Sequence, residues 1–142
     1  MSEGAARSEP VFFIDRALGS RRVAQALSDA GARVEVHDDH FPKDTPDEDW
    51  LPEVAARGWI VVTKDQRIAY RNLEKLAVAQ SGARLFVLVN RNLSAASMSA
   101  ALVAALPRMA RFADDEVAPF IAKVFQDGRV QAWRTAEDLA EP

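Results

Sequence analysis

The 142-residue chain has no cysteine, which excludes disulfides and thiolate metal sites and agrees with a reducing compartment, the cytoplasm by default. Long hydrophobic runs are missing too. Val11-Phe12-Phe13-Ile14, Trp59-Ile60-Val61-Val62 and Leu85-Phe86-Val87-Leu88-Val89 all stop far short of the roughly 20 apolar residues that cross a bilayer, so no membrane association is expected. Residues 1–10 carry Glu3, Arg7 and Glu9 with no apolar stretch behind a basic start, so they read as a loose tail and not as a secretory leader. There is no excess of basic charge: 18 Lys and Arg stand against 21 Asp and Glu, a net charge of −3. No global field therefore draws the chain onto nucleic acid, and any such binding has to be local. None of the six glycines has phosphate-cradling spacing, and Ser20, Ser28 and Ser81 lack the settings of catalytic serines. Internal repeats and low-complexity tracts are also absent.

What is present is globular: 49% of residues are hydrophobic and 27% charged, and the length fits one domain. Val11-Phe12-Phe13-Ile14 is a short apolar run ending at Asp15, the pattern of a strand covered on both faces. Residues 18–30 place Val23, Ala24, Leu27 and Ala30 at helical spacing before the stop at Gly31. Arg33-Val34-Glu35-Val36 alternates as an edge strand does, and polar residues 37–44 end it as a loop. Thr45-Pro46-Asp47-Glu48 has the form of a helix start, with Thr45 as N-cap, Pro46 first and Glu48 completing a capping box. That helix runs toward Arg57, and Pro52 either kinks it or lies in its first turn.

Beyond Gly58, Trp59-Ile60-Val61-Val62-Thr63 is an apolar strand that delivers Lys64 and Asp65 at its end. Residues 66–80 read as one amphipathic helix with Ile68, Leu73, Leu76 and Ala77 on its apolar side. Residues 84–89 form another strand, and Ser94 caps a helix from Ala95 to about Phe112 that Pro107 kinks or shortens. Residues 120–125 and 129–133 flank Gln126-Asp127-Gly128, a strong hairpin signal. Strands and helices alternating through short connections predict an α/β domain built from parallel βαβ units.

In such a sheet ligands bind beyond the carboxyl ends of the strands, where Asp15 and Asp65 both fall. Neighbouring strands lie roughly 4.8 Å apart, so two such carboxylates can share a cation. Asp47 is a third candidate, because it shares a helix face with Trp50, Leu51 and Val54, whereas Asp49 aligns with Pro52 and Glu53 and faces outward. Each acid also has a plainer explanation, as a cap or as a complement to a helix dipole. The run His37-Asp38-Asp39-His40 invites a zinc reading, against which stands the lack of a second ligand pair. Asp38 or Asp39 is then a candidate fourth carboxylate. Lys64, Arg67 and Arg71 flank Asp65 and either meet a phosphate backbone or form a solvated helix face.

The segments Val11-Phe12-Phe13-Ile14-Asp15, Pro46-Asp47-Glu48-Asp49-Trp50 and Val62-Thr63-Lys64-Asp65 resemble the PIN-like nucleases, in particular their compact VapC-type toxin branch. His37-Asp38-Asp39-His40-Phe41-Pro42 and Pro119-Phe120-Ile121-Ala122-Lys123-Val124 share the likeness, which spans about residues 11–130. The resemblance implies a three-layer fold, with a central, mainly parallel sheet flanked by helices and a C-terminal β-hairpin. That fold occupies residues 11–133, between tails at 1–10 and 134–142. It implies Mg²⁺ or Mn²⁺ held by Asp15, Asp47 and Asp65, with Asp39 a further candidate ligand, and hydrolysis of RNA phosphodiesters with Lys64, Arg67 and Arg71 on the RNA. It also implies an antitoxin partner encoded nearby and admits a homodimer. Related compact proteins often carry an aspartate two residues past the third acid, where this chain has Arg67, which bears on whether one ion or two is held.

Two other readings compete. A receiver-like signalling domain places Mg²⁺ at the same edge and phosphorylates one aspartate, here Asp65. Against it, Val89 is followed by Asn90, where a receiver carries lysine. A nonenzymatic binding module acts instead through an edge strand or the hairpin.

Overall fold

In the computed structural model, residues 9–18, 21–90 and 92–140 are described. Residues 1–8, most of the expected N-terminal tail, and the side chain of Leu73 lie outside that description.

Among the described residues six strands form one sheet: β1 (Val11–Ile14), β2 (Arg33–Val36), β3 (Ile60–Thr63), β4 (Arg84–Leu88), β5 (Phe120–Val124) and β6 (Val130–Arg134), in the spatial order β2-β1-β3-β4-β5-β6. The first five are parallel and β6 returns antiparallel beside β5. Alternation along each strand divides the core in two. Phe12, Ile14, Ile60, Val62, Phe86 and Leu88 pack toward α1 (Arg21–Asp29) and α5 (Ala95–Asp115). Phe13, Val61, Leu85, Val87 and Ile121 pack toward α3 (Asp47–Ala56), α4 (Asn72–Ser81) and α6 (Ala136–Ala140). Coverage of both faces is why these strands read as continuous apolar runs. Each large apolar side chain so buried stabilises the fold by about 1.5–3 kcal/mol.

The structure corrects several expectations. Residues 37–44 are not all loop: His37–His40 form a one-turn helix, α2, and His37 is buried, 1% exposed, among Phe13, Phe41 and Trp50. Thr45 does not cap α3, because its hydroxyl donates to the Pro42 carbonyl at 2.8 Å and Pro46 holds the N-cap position without a side-chain bond. Pro52 lies inside α3 and Pro107 inside α5 without ending either. Residues 134–142, read as a tail, begin with the last residue of β6 and continue into α6. Thr135 and Asp138 cap α6 reciprocally at 2.9 and 3.2 Å, and Leu139 is buried.

Candidate active site at the carboxyl edge of the sheet

The sheet order reverses direction at β1, whose neighbours are β2 and β3. The element after β1, α1, packs on one face, and the element leading into β3, α3, packs on the other. A crevice opens at such a switch point, beyond the strand ends. Asp15 follows β1 and Asp65 lies two residues beyond β3, so chain topology alone brings both to this crevice. Asp47, the first residue of α3, enters from the covering layer. One depression of about 250 Å³ is lined by Asp15, Asp47 and Asp65 together with His37, Lys43 and Trp50. The three acids named from the sequence thus meet in one place. Asp47 is half-buried and Asp49 exposed, the orientation that helix spacing predicts.

Thr63 ties the strand ends together. Its buried hydroxyl donates to Asp15 Oδ2 at 2.7 Å and accepts the Asp65 backbone N–H at 3.1 Å. Trp50 Nε1 donates to Asp47 Oδ1 at 3.1 Å. His37 follows the partner of Ile14 in the β1–β2 register, which sets it beside Asp15. From the sequence, Thr63 and Trp50 had no role at the site, and His37 was weighed only as a zinc ligand. Strand alternation puts Thr63 on the same face as Asp65, but its contact with Asp15 depends on the pairing of β1 with β3.

The electrostatics follow from this crowding. Burial raises the Asp15 carboxyl above its ordinary range, with the Asp65 charge adding to the effect and the Thr63 hydrogen bond opposing it. Burial, then the charges of Asp15 and Asp65, push Asp47 up to about 6. Asp65 goes the other way, because the Arg67 guanidinium lies across it, with Nε 2.8 Å from Oδ1 and Nη2 2.9 Å from Oδ2.

The remaining candidates are placed differently. Asp39 is exposed and paired with Arg21 at 2.6 Å, and Asp38 with Arg16 at 2.9 Å; the acid pocket is lined by neither. Arg67 is engaged by Asp65, Arg71 is exposed with Nη1 3.9 Å from Glu74, and Lys64 lines a neighbouring depression.

Among the described residues no group of three His, Asp or Glu side chains is arranged to hold an ion as they stand. The donor set nevertheless fits a hard divalent cation. It is all carboxylate, it is partly desolvated, and the Asp65 charge raises Asp15 while Asp15 and Asp65 raise Asp47, a strain that a cation relieves. As the site stands, both oxygens of Asp65 accept from Arg67. No described helix is long and apolar enough to cross a membrane.

Comparison with known proteins agrees with this geometry. Over 105 residues the chain is 34% identical to "Putative ribonuclease VapC45" of Mycobacterium tuberculosis, an alignment covering 71% of this chain and 76% of that protein. No solved structure matches the chain. A family model described as PIN like domain matches residues 10–90, a span that contains Asp15, Asp47 and Asp65. The parallel strand order is one that flavodoxin-like and receiver folds also use, so topology leaves two readings open and the family match decides between them: the chain belongs to the PIN-like domain family.

Proposed function

We propose that this protein is a divalent-metal-dependent ribonuclease and the toxin of a toxin–antitoxin pair. The observation that carries the reading is the meeting of Asp15, Asp47 and Asp65 in one pocket at the topological switch point. The similarity to a protein named as a ribonuclease supplies the substrate class. Asp15, Asp47 and Asp65 would hold Mg²⁺ or Mn²⁺, both of which favour oxygen ligands. When bound, such an ion supplies Lewis-acid chemistry, neutralising charge on phosphoryl oxygens and making water acidic enough to serve as nucleophile at neutral pH. The chain's own residues do the rest. Thr63 orients Asp15 through the hydrogen bond to Oδ2, Trp50 orients Asp47, and Lys64 and Arg71 meet the RNA backbone. Arg67, once displaced from Asp65, is placed to follow the phosphate.

The test is cleavage of single-stranded RNA and of total cellular RNA by purified protein. Cleavage is expected with Mg²⁺ or Mn²⁺, none with chelator, and a loss of at least about 100-fold in Asp15→Asn and in Asp65→Asn. Cleavage that survives both substitutions rules the assignment out. For the partner, expression of the chain alone should arrest growth, and co-expression of the adjacent open reading frame should restore it.

A further inference from the structure

A second depression, of about 320 Å³, opens on the same edge of the sheet, lined by Lys64, Gln66, Tyr70, Asn90, Asn92 and Met98. Its volume lies at the lower end of the range of small-ligand pockets. It adjoins the acid pocket through the chain itself, since Asp65 lines one depression and Lys64 the other. Successive side chains of an extended segment leave on opposite faces. Asp65 therefore joins the α3 side, while Lys64 turns toward the side where Met98 of α5 lies.

Two amides in this depression have their polarity fixed by what they already bind. Asn90 accepts the Gln126 N–H at 2.7 Å, so the bonded atom is Oδ1 and Nδ2 is the one left to donate. Gln66 donates Nε2 to the Val89 carbonyl at 2.9 Å, so Oε1 is the one left to accept. Beside them Tyr70, the chain's only tyrosine, is 55% exposed. An open aromatic ring, one donor and one acceptor of fixed sense, and an ammonium group form the set that recognises an unpaired base. The ring stacks on the base, the amides read its edge, and the charge meets phosphate.

We propose that this depression is a nucleobase subsite. One unpaired base of the RNA stacks on Tyr70 and is hydrogen-bonded along its edge by Asn90 and Gln66, and its neighbouring phosphate reaches the acid pocket. The inference rests on the ribonuclease reading for the identity of the ligand, so its test is binding and not cleavage.

Short single-stranded oligoribonucleotides of varied sequence are titrated with the full chain in chelator and followed by fluorescence anisotropy, each variant being checked first for an unchanged thermal transition. Tyr70→Ala is expected to weaken binding roughly 5- to 150-fold, the range that stacking of one base contributes. Tyr70→Phe keeps the ring and retains wild-type affinity. Asn90→Asp keeps Oδ1 for the Gln126 N–H but replaces the donor by an acceptor, and it changes which base is preferred. A Tyr70→Ala variant that binds as tightly as wild type overturns the subsite, and so does a wild-type chain with no affinity for any oligonucleotide. Cleavage is scored separately with Mg²⁺ or Mn²⁺. A protein that binds through Tyr70 yet never cuts keeps the subsite and loses the ribonuclease reading. One that cuts while Tyr70→Ala binds normally keeps the nuclease and loses the subsite.

Discussion

At the scale of single residues, the site depends on one hydroxyl. Thr63 donates to Asp15 in one hydrogen bond and accepts the Asp65 backbone N–H in another, and both contacts are partly buried. Thr63→Val keeps the shape and removes both, leaving an acceptor and a donor without partners. The expected cost is about 1–3 kcal/mol in urea denaturation, with Thr63→Ser recovering most of it. Asp47 gives a pH signature. Its folded-state pKa of about 6 lies above the unfolded value of 3.8, so the unfolded chain releases its proton first. Stability therefore falls as pH rises from about 4 to about 6 and stays lower above that. Asp47→Asn keeps an oxygen for Trp50 Nε1 and removes the charge. In chelator it is expected to stabilise the protein by about 1 kcal/mol near neutral pH, a figure held low because the carboxyl is half open to water. Near pH 4 the two proteins should unfold alike. A variant less stable than wild type at neutral pH contradicts this account. The three acids were legible because a strand end or a helix start marks each of them. Thr63 was harder to see, since its role depends on which strand lies next to β3, and that is a fact of tertiary structure.

At the scale of elements, residues 66–80 show where periodicity misleads. They read as one helix, but Asp65 caps a single 3₁₀ turn over Gln66–Ala69 by accepting the Arg67 N–H at 3.1 Å. The chain then breaks at Tyr70 and Arg71, and α4 starts afresh at Asn72. The restart changes the helical phase, so Leu76, expected inside, is 51% exposed while Ile68 stays buried. The same break brings Tyr70 to the surface. Local hydrogen bonding by an aspartate thus prevailed over hydrophobic spacing, as happens at helix starts. The hairpin was legible because its turn needs a particular residue. Gly128 has φ +88°, and a Cβ there would stand 3.1 Å from that of Ala104 in α5. Gly128→Ala is therefore expected to cost more than about 1 kcal/mol, the conformational strain and the contact adding together. Gly82→Ala, with φ +74° and open space around it, should cost less. Equal losses in thermal denaturation would show that the contact with α5 plays no part.

At the scale of the whole molecule, function follows from connectivity. Five parallel strands in the order β2-β1-β3-β4-β5 place the ends of β1 and β3 side by side with covering helices on opposite faces. The sequence foretold the alternation of strand and helix and the edge position of β2. It did not foretell that β5 lies parallel to β4 as a fifth strand of the main sheet, because a hairpin signal fixes the β5–β6 pair and not the partner on its other side. The short α6 was missed because its five residues are too few to show a period, although Thr135 and Asp138 stand at capping-box spacing. The net charge of −3 suits a site that gathers acids at one edge of the sheet.

Whether Asp15, Asp47 and Asp65 act as one cation site is read by titrating the chelator-treated protein with Mn²⁺ under calorimetry. Saturable binding is expected, lost or weakened at least about 10-fold in each of Asp15→Asn, Asp47→Asn and Asp65→Asn. Asp39→Asn, at an exposed carboxylate already paired with Arg21, should leave binding unchanged. Mn²⁺ bound with full affinity by the Asp15→Asn and Asp65→Asn variants would contradict a shared cation site.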